Sequence, residues 1–235
     1  MGALAKSLAL GFGQLFDGAV LRILLKSIAV SLLAFVVVAT AGWYALDWLL
    51  GWAGLKDTLF TGAGAIREAL SALMTVVLLW LTWRVVAMAV VQFFAEDVVK
   101  AVERRHYPQE ASTARDVPIG EASGHALRAA GRALLFNLIA APFALLLLFT
   151  GVGPFAVFWI VNAVLVGREL QDMVWLRHRA DRSETAPLSR GKRFALGGVV
   201  AGLLAIPFAN FLAPVLGAAS ATHLVHRRLR NGLPD

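Results

Sequence analysis

No cysteine occurs among the 235 residues. That excludes a disulfide frame, a thiolate nucleophile and an iron–sulfur site. Charge is also scarce: 16% of the residues are charged, against about 25% in a typical soluble domain. The enzyme signatures that can be read from spacing are missing, with no P-loop, no His-Glu-x-x-His and no Gly-x-Ser-x-Gly. We therefore read a non-enzyme, and nothing implies a cofactor. Residues Met1 to Asp17 hold no long apolar core ending in a small-residue cleavage site, so no cleaved signal peptide is expected. No Ser/Pro-rich linker or charge tract divides the chain, which reads as a single domain over 1–235.

What is present is apolar surface and basic charge. Hydrophobic residues make up 59% of the chain and the mean hydropathy is +0.71. The formal net charge is +7. The basic residues sit between apolar runs and do not gather on one aromatic-studded face. They flank membrane spans, and no nucleic acid partner is expected. The fold class is an all-α, polytopic integral membrane protein, with the lipid bilayer as its first partner. At the start, Gly2-Ala3-Leu4-Ala5-Lys6 followed by Leu8, Leu10, Phe12, Leu15 and Phe16 predicts an N-terminal interfacial helix.

Distances between charges give the spans. Twenty uncharged residues separate Lys26 from Asp47, and a bilayer core of about 30 Å needs about 20 helical residues. Trp43, Tyr44, Trp48 and Trp52 collect at the far end as an aromatic belt. The second run, Ala69 to Ala95, holds one charge, Arg84. Its helix continues into water, with Val98, Val99 and Val102 on one face, and ends at Pro108. Residues Gln109 to Gly124 read as a polar loop. The remaining two runs are different. From Arg132 to Arg168 there are 35 uncharged residues, broken at Gly151-Val152-Gly153-Pro154; from Arg193 to Arg227 there are 33, broken between Pro207 and Pro214. Two full spans and a turn need at least about 40. The spacing predicts two long transmembrane helices and two short helical hairpins that penetrate only partly. Ordinary tilted hairpins in a thinned bilayer are the alternative.

Several polar residues stand where chemistry is possible. Gly18 opens the first long helix, Arg22 lies in its first turn and Lys26 one turn later. A helix N-terminus with an arginine beside it can hold an oxyanion; anchoring by the positive-inside rule explains Arg22 and Lys26 equally well. Arg84 lies deep in a span, where a charge faces a bundle interior or an aqueous path. Asp47 is its candidate partner. Arg168 and Asp172 are one turn apart and can pair, leaving Glu169 on an adjacent face, so these residues and Asn162 form a structural polar cluster at the base of a hairpin. Asn137, Asn162 and Asn210 sit within apolar runs, where interhelical hydrogen bonds are expected. His223 and His226 share a helix face and could ligate a metal, but no further ligand is clustered beside them in sequence. They read as interfacial histidines beside Arg227 and Arg228, and His106, His125 and His178 as isolated. No metal is assigned.

Val161-Asn162-Ala163-Val164-Leu165-Val166-Gly167-Arg168-Glu169 resembles the Asn-x-x-Leu-Leu-Gly-Arg-Glu signature of the CysZ-type sulfate permeases and their etoposide-induced-protein-like relatives. So does the trailing Val174-Trp175-Leu176-Arg177-His178. Ile206 to Val215, with Ala221-Thr222-His223 after it, is similar to the family's C-terminal hairpin, and Phe94 to Pro108 to its segment after the second span. The resemblance implies a cytoplasmic-membrane protein that admits sulfate for cysteine synthesis, built from two long helices and two partly penetrating hairpins and assembled as a homo-oligomer. It also implies a sulfate site at a Gly-x-Arg-Arg type stretch entering the first span. Gly18 to Arg22 corresponds to it here, with one arginine and no adjacent proline.

The expected function is passage of sulfate or a similar oxyanion across a bacterial inner membrane. The alternatives are a non-transporting scaffold or partner-binding protein of the same fold, and a transporter of another small solute. Of the 22 Lys and Arg, only Lys56 and Arg67 fall in the first inter-span loop. The positive-inside rule then places both termini and the 109–124 and 180–190 segments in the cytoplasm. A Ser112→Cys variant, the chain's only thiol, should resist an impermeant maleimide in intact cells and react once the membrane is opened. Labelling in intact cells would reverse the assigned orientation.

Overall fold

The computed structural model describes residues 2–52, 79–80, 94–181, 183–206 and 209–231, and these contain no β-strand. The elements are α1 (Gly2–Gln14), α2 (Gly18–Trp52), α3 (94–106), α4 (Pro108–Thr113), α5 (Ile119–Leu146), α6 (Gly153–Trp175), α7 (Arg190–Leu204) and α8 (Ala209–Asn231), with a 3-10 turn at Leu148–Thr150 between α5 and α6. Among the described residues, three stretches are long and apolar enough to cross a membrane: Gly18–Gly42, Ile119–Leu146 and Gly153–Trp175. The chain divides into two compact units, residues 24–94 and residues 1–23 with 95–235. Asp47 lies in α2, but its side chain is outside the described residues, as are Lys56, Arg67, Arg84 and Pro207.

In the 24–94 unit, α2 is apolar outside and polar inside. Leu25, Ile28, Leu32, Leu33, Val36 and Val37 are exposed while Ser27 and Ser31 are buried. Ser27 satisfies its hydroxyl on the Leu24 carbonyl at 2.7 Å, and Lys26 Nζ lies 5.6 Å from the Phe94 ring centre. A helix with this pattern is in the wrong solvent if that solvent is water; in lipid its leucines are on the correct side.

The larger unit is built around α8. Residues 213–226 of α8 are buried without a break, and the sequence there is rich in Ala, Gly, Ser and Thr, so neighbours approach closely. α1, α6 and α7 all pack against it. α1 applies Ser7, Gly11 and Gln14 to α8; a Cβ on Gly11 would fall 2.1 Å from Ser220 Oγ. The apolar residues Leu10 and Phe12 of α1, and Phe16 in the turn after it, are exposed, as expected of a helix lying at a membrane interface.

α6 and α7 cross at glycines. A Cβ on Gly197 would lie 2.0 Å from the Ala163 carbonyl oxygen and 2.5 Å from Gly167 N, and one on Gly167 would lie 2.0 Å from the Arg193 carbonyl oxygen. Trp159 of α6 donates its indole N–H to the Gly198 carbonyl at 3.0 Å across the same crossing. At the α5–α6 apex, Gly151 adopts φ +72°, the left-handed conformation that reverses the chain at no steric cost. The apex is apolar: Leu146, Leu148 and Val152 are exposed and Phe149 is 96% exposed.

The polar loop expected over 109–124 is a correction. Pro108–Thr113 is a short helix and α5 already begins at Ile119; only residues 114–118 lack helical structure. Pro108 does not simply stop α3, because its ring fits the first turn of α4, where its missing N–H costs nothing. The expected interhelical asparagine bonds also differ. Asn137 donates to Ala133 O at 2.8 Å and Asn162 to Phe158 O at 2.8 Å, each within its own helix. An amide on a lipid-facing position satisfies itself locally when no neighbouring helix is in reach.

Gly197→Ala should lower the unfolding temperature of the detergent-solubilised protein, because backbone on the facing helix must move; overpacking of this kind costs about 1–3 kcal/mol. Gly191→Ala, where an added Cβ meets nothing within 4 Å, should leave it unchanged or raise it. Equal melting curves for the two variants would show that the crossing is not tight.

Candidate functional site

Four segments that are far apart in sequence meet at one end of the larger unit. Asp17, just before α2, pairs with Arg105 of α3, and Gln14 bonds His106 at 2.7 Å. The Arg115 N–H donates to the Arg177 carbonyl at 2.9 Å. Leu188 N–H donates to Gln171 Oε1 at 3.2 Å, Arg228 Nε to the Pro187 carbonyl at 3.3 Å, and Arg230 to Glu110 at 2.5 and 3.0 Å. The basic-flanked segments around 17, 105–115, 177–188 and the end of α8 are thus tied together by polar contacts.

At the centre of this polar head is Glu103, fully buried. It lies on the same face of α3 as Val99 and His106, one turn either way. Burial alone would raise its pKa; hydrogen bonds from His178 and His226 and the nearby Arg177 guanidinium outweigh that and hold it at about 2. His178 Nε2 is 2.8 Å and His226 Nε2 3.2 Å from Oε1, and Arg177 Nη2 is 3.3 Å from Oε2. Tyr107 stacks on His226 with ring centres 4.5 Å apart and shares a hydrogen bond of 3.0 Å with His223 Nδ1. Burial, with His106, Arg227 and His226 nearby, lowers the His223 pKa to about 4. The interfacial reading of His223 and His226 is therefore corrected: both are buried, and His226 meets His178 edge-on at 4.7 Å. His178 is not isolated, and His106 is bonded to Gln14.

Beside this centre is a cavity of about 260 Å³ walled by α3, the 114–118 segment, α5 and α6. Its charged lining is mixed. Lys100, Arg132 and Arg177 face it together with Glu96, Asp116, Glu169 and Asp172, and His125 completes the polar wall. Glu121, at the mouth of α5, holds Arg115 at 2.9 Å and also pairs with Arg179.

The residues singled out in the sequence are distributed as follows. Arg168 Nε lies 3.8 Å from Asp172 Oδ2, so the one-turn pair forms. Glu169 and Asp172 reach the cavity wall; Asn162 does not, being exposed. Gly18, Arg22 and Lys26 follow one another along α2 and all three are exposed. The N–H groups of the helix opening are not all free, because Asp17 Oδ1 accepts from Ala19 N–H at 2.9 Å. Arg22 makes no ion pair or hydrogen bond among the described residues, since Asp17 is occupied by Arg105. The sequence reading missed Glu103, Arg177 and His178. The available signal was a carboxylate on the valine-bearing face of α3, a position that demands a buried partner.

Apolar helices of membrane-crossing length joined to a polar head define a polytopic membrane protein. Residues 7–214 match the family of the sulfate transporter CysZ and etoposide-induced protein 2.4, and the chain belongs to that family. No curated protein and no solved structure matches it.

The head should be acid-sensitive in two stages. His223 has a folded pKa below its ordinary 6.5, so its contribution is complete above pH 6.5 and lost as pH falls towards 4. Glu103 is held below its ordinary 4.5, so its contribution is present above 4.5 and lost as pH falls towards 2. Melting temperatures in detergent should be level above pH 6.5, decline below it, and decline more steeply below 4.5. His223→Gln should shrink the upper stage, to which His106 and His125, both held below 6.5 by burial, also contribute; an unchanged profile in that variant would show that those groups govern it.

Proposed function

We propose that the protein is a permease or channel for sulfate or a related small oxyanion in the bacterial cytoplasmic membrane, supporting sulfate uptake for cysteine synthesis. The observation that carries this reading is the family match over residues 7–214. Local geometry supports it at the start of α2. Arg22 is an exposed guanidinium with no ion pair among the described residues, placed one turn after Gly18 and one turn before Lys26. A guanidinium offers a planar fork to tetrahedral oxygens, and a lysine adds charge without geometry. Arg84, within the second apolar run, would lower the barrier for an anion inside the bilayer.

The rest of the proposal follows the same residues. The two units form one CysZ-like membrane domain over 1–235, since the family match runs through both. The polar head faces the cytoplasm with both termini, and the chain assembles as a homo-oligomer. The α5–α6 hairpin dips into the bilayer and returns. Only Ala133 to Leu146 of α5 and Gly153 to Gly167 of α6 are free of charge, stretches of roughly 20 Å at about 1.5 Å per residue, short of a hydrocarbon core of about 30 Å. An apex carrying exposed Leu148 and Phe149 suits lipid and not water. The α7–α8 pair is proposed as the second such hairpin. A second reading, a transporter of another small solute, is favoured by the cavity, whose carboxylates offset its cations.

Sulfate influx into proteoliposomes should fall about tenfold or more in Arg22→Gln, and Arg22→Lys should recover only part of it, since loss of a charge-assisted hydrogen bond is worth about 1.5–3 kcal/mol. Arg84→Gln should also slow influx at matched reconstitution. Parental sulfate rates in all three variants would remove the oxyanion path, and uptake of a zwitterion in preference to sulfate would favour the second reading.

A further inference from the structure

The head contains a constellation that lies outside the oxyanion path proposed above. Glu103 Oε1, His178 Nε2 and His226 Nε2 all lie within 4.8 Å of one another. They come from three separate segments: α3, the turn after α6, and α8. From these positions we propose that Glu103, His178 and His226 form a binding site for a divalent transition ion of the zinc class, a structural clasp that closes the polar head.

The distances suit that ion. Oε1 is 2.8 Å from one imidazole nitrogen and 3.2 Å from the other. A four-coordinate zinc with bonds of about 2.0–2.1 Å separates its ligands by roughly 3.3 Å, so small outward shifts of the two rings admit it. The ligand type decides the class. Two imidazoles and one carboxylate suit zinc and its first-row neighbours, while calcium and magnesium require oxygen throughout. With no cysteine in the chain, a nitrogen and oxygen set is the strongest that it can assemble for such an ion.

The surroundings behave as an outer shell that fixes the ligands. Arg177 Nη2 holds Oε2 at 3.3 Å and so leaves Oε1 as the single coordinating oxygen. Tyr107 stacks on His226 and His178 meets His226 edge-on, which restricts both rings. Such neighbours orient the ligands. Glu103 and His226 are fully buried and the His178 side chain is 7% exposed. Without the ion, both imidazoles donate from Nε2 to one oxygen; with it, each carries its proton on Nδ1 and both Nε2 atoms face the metal. Three protein ligands leave a fourth position, which water can fill.

The site stands independently of any sulfate passage, and its test does not use transport. The full chain, purified in detergent without a histidine tag and stripped with a chelator, is reloaded with zinc or cobalt and passed through a desalting column. The expected result is one zinc per chain by elemental analysis, a four-coordinate visible spectrum with cobalt, and a higher melting temperature with zinc. His178→Ala, His226→Ala and Glu103→Gln should each lose the ion and the thermal shift, and His125→Ala should keep both. Because His226 is buried in the packed α8 and its loss disturbs folding, wild-type protein loaded with copper is also read by pulsed electron paramagnetic resonance, which should show two coupled imidazoles. Failure of the wild type to retain metal, an absence of coupled imidazoles, or retention by a folded His178→Ala would overturn the site and leave a hydrogen-bonded hub alone.

Discussion

A carboxylate that is fully withdrawn from water must be paired, and in this protein the pairing of Glu103 organises the polar head. An isolated buried charge costs several kcal/mol. Glu103 avoids that by taking Arg177, His178 and His226 from two other segments. Those segments cannot move independently of α3 without leaving the charge alone. The cavity beside it depends on the same restraint, since Arg177 lines its wall while holding the carboxylate. α8 makes the arrangement possible: its run of small residues allows α1, α6 and α7 to approach so closely that His223 and His226 are sealed from solvent.

Outside the head the usual amphipathic rule is inverted. α1 and α2 bury serine, glycine and glutamine and expose leucine, valine and phenylalanine. In water, this would forfeit burial free energy along every turn; in hydrocarbon, the apolar side chains lose nothing by being outside, and association depends on close contact and hydrogen bonds. The α6–α7 crossing follows the same logic, with Gly167 and Gly197 bringing backbones together and Trp159 adding one directed bond. The fold therefore has two kinds of cohesion: ionic and aromatic in the head, steric in the apolar part.

The features legible from sequence were those governed by local spacing. Charge-free lengths located the apolar helices α2, α5 and α6, and the four-residue step between Arg168 and Asp172 gave their ion pair. The family motif over 161–178 lay in contiguous residues. What escaped was non-local. Glu103 is 75 residues from His178 and 123 from His226, and no periodicity links such positions. The 109–124 segment was misread because its polar composition resembles a loop, whereas Pro108 and Glu110 begin one short helix and Glu121 lies in the first turn of another. Asn162 was expected to reach a neighbour, and the structure shows it bonding Phe158 in its own helix. Arg84 and Pro207 lie outside the described residues, so those two expectations are unchanged.

The contact between α1 and α8 joins two helices that lie far apart in the sequence, Gly2–Gln14 and Ala209–Asn231. Synthesis on the ribosome proceeds from one to the other, so α1 emerges long before its partner exists. In the interval its glycine and serine face has nothing to pack on, while its leucine and phenylalanine face can already rest on lipid. Glu103 waits in the same way for His226. The head can close only after α8 has been synthesised, as a late, long-range step. A chain that stops short of α8 would leave a buried charge and an unsealed helix face behind, which is the kind of surface that proteolytic quality control removes.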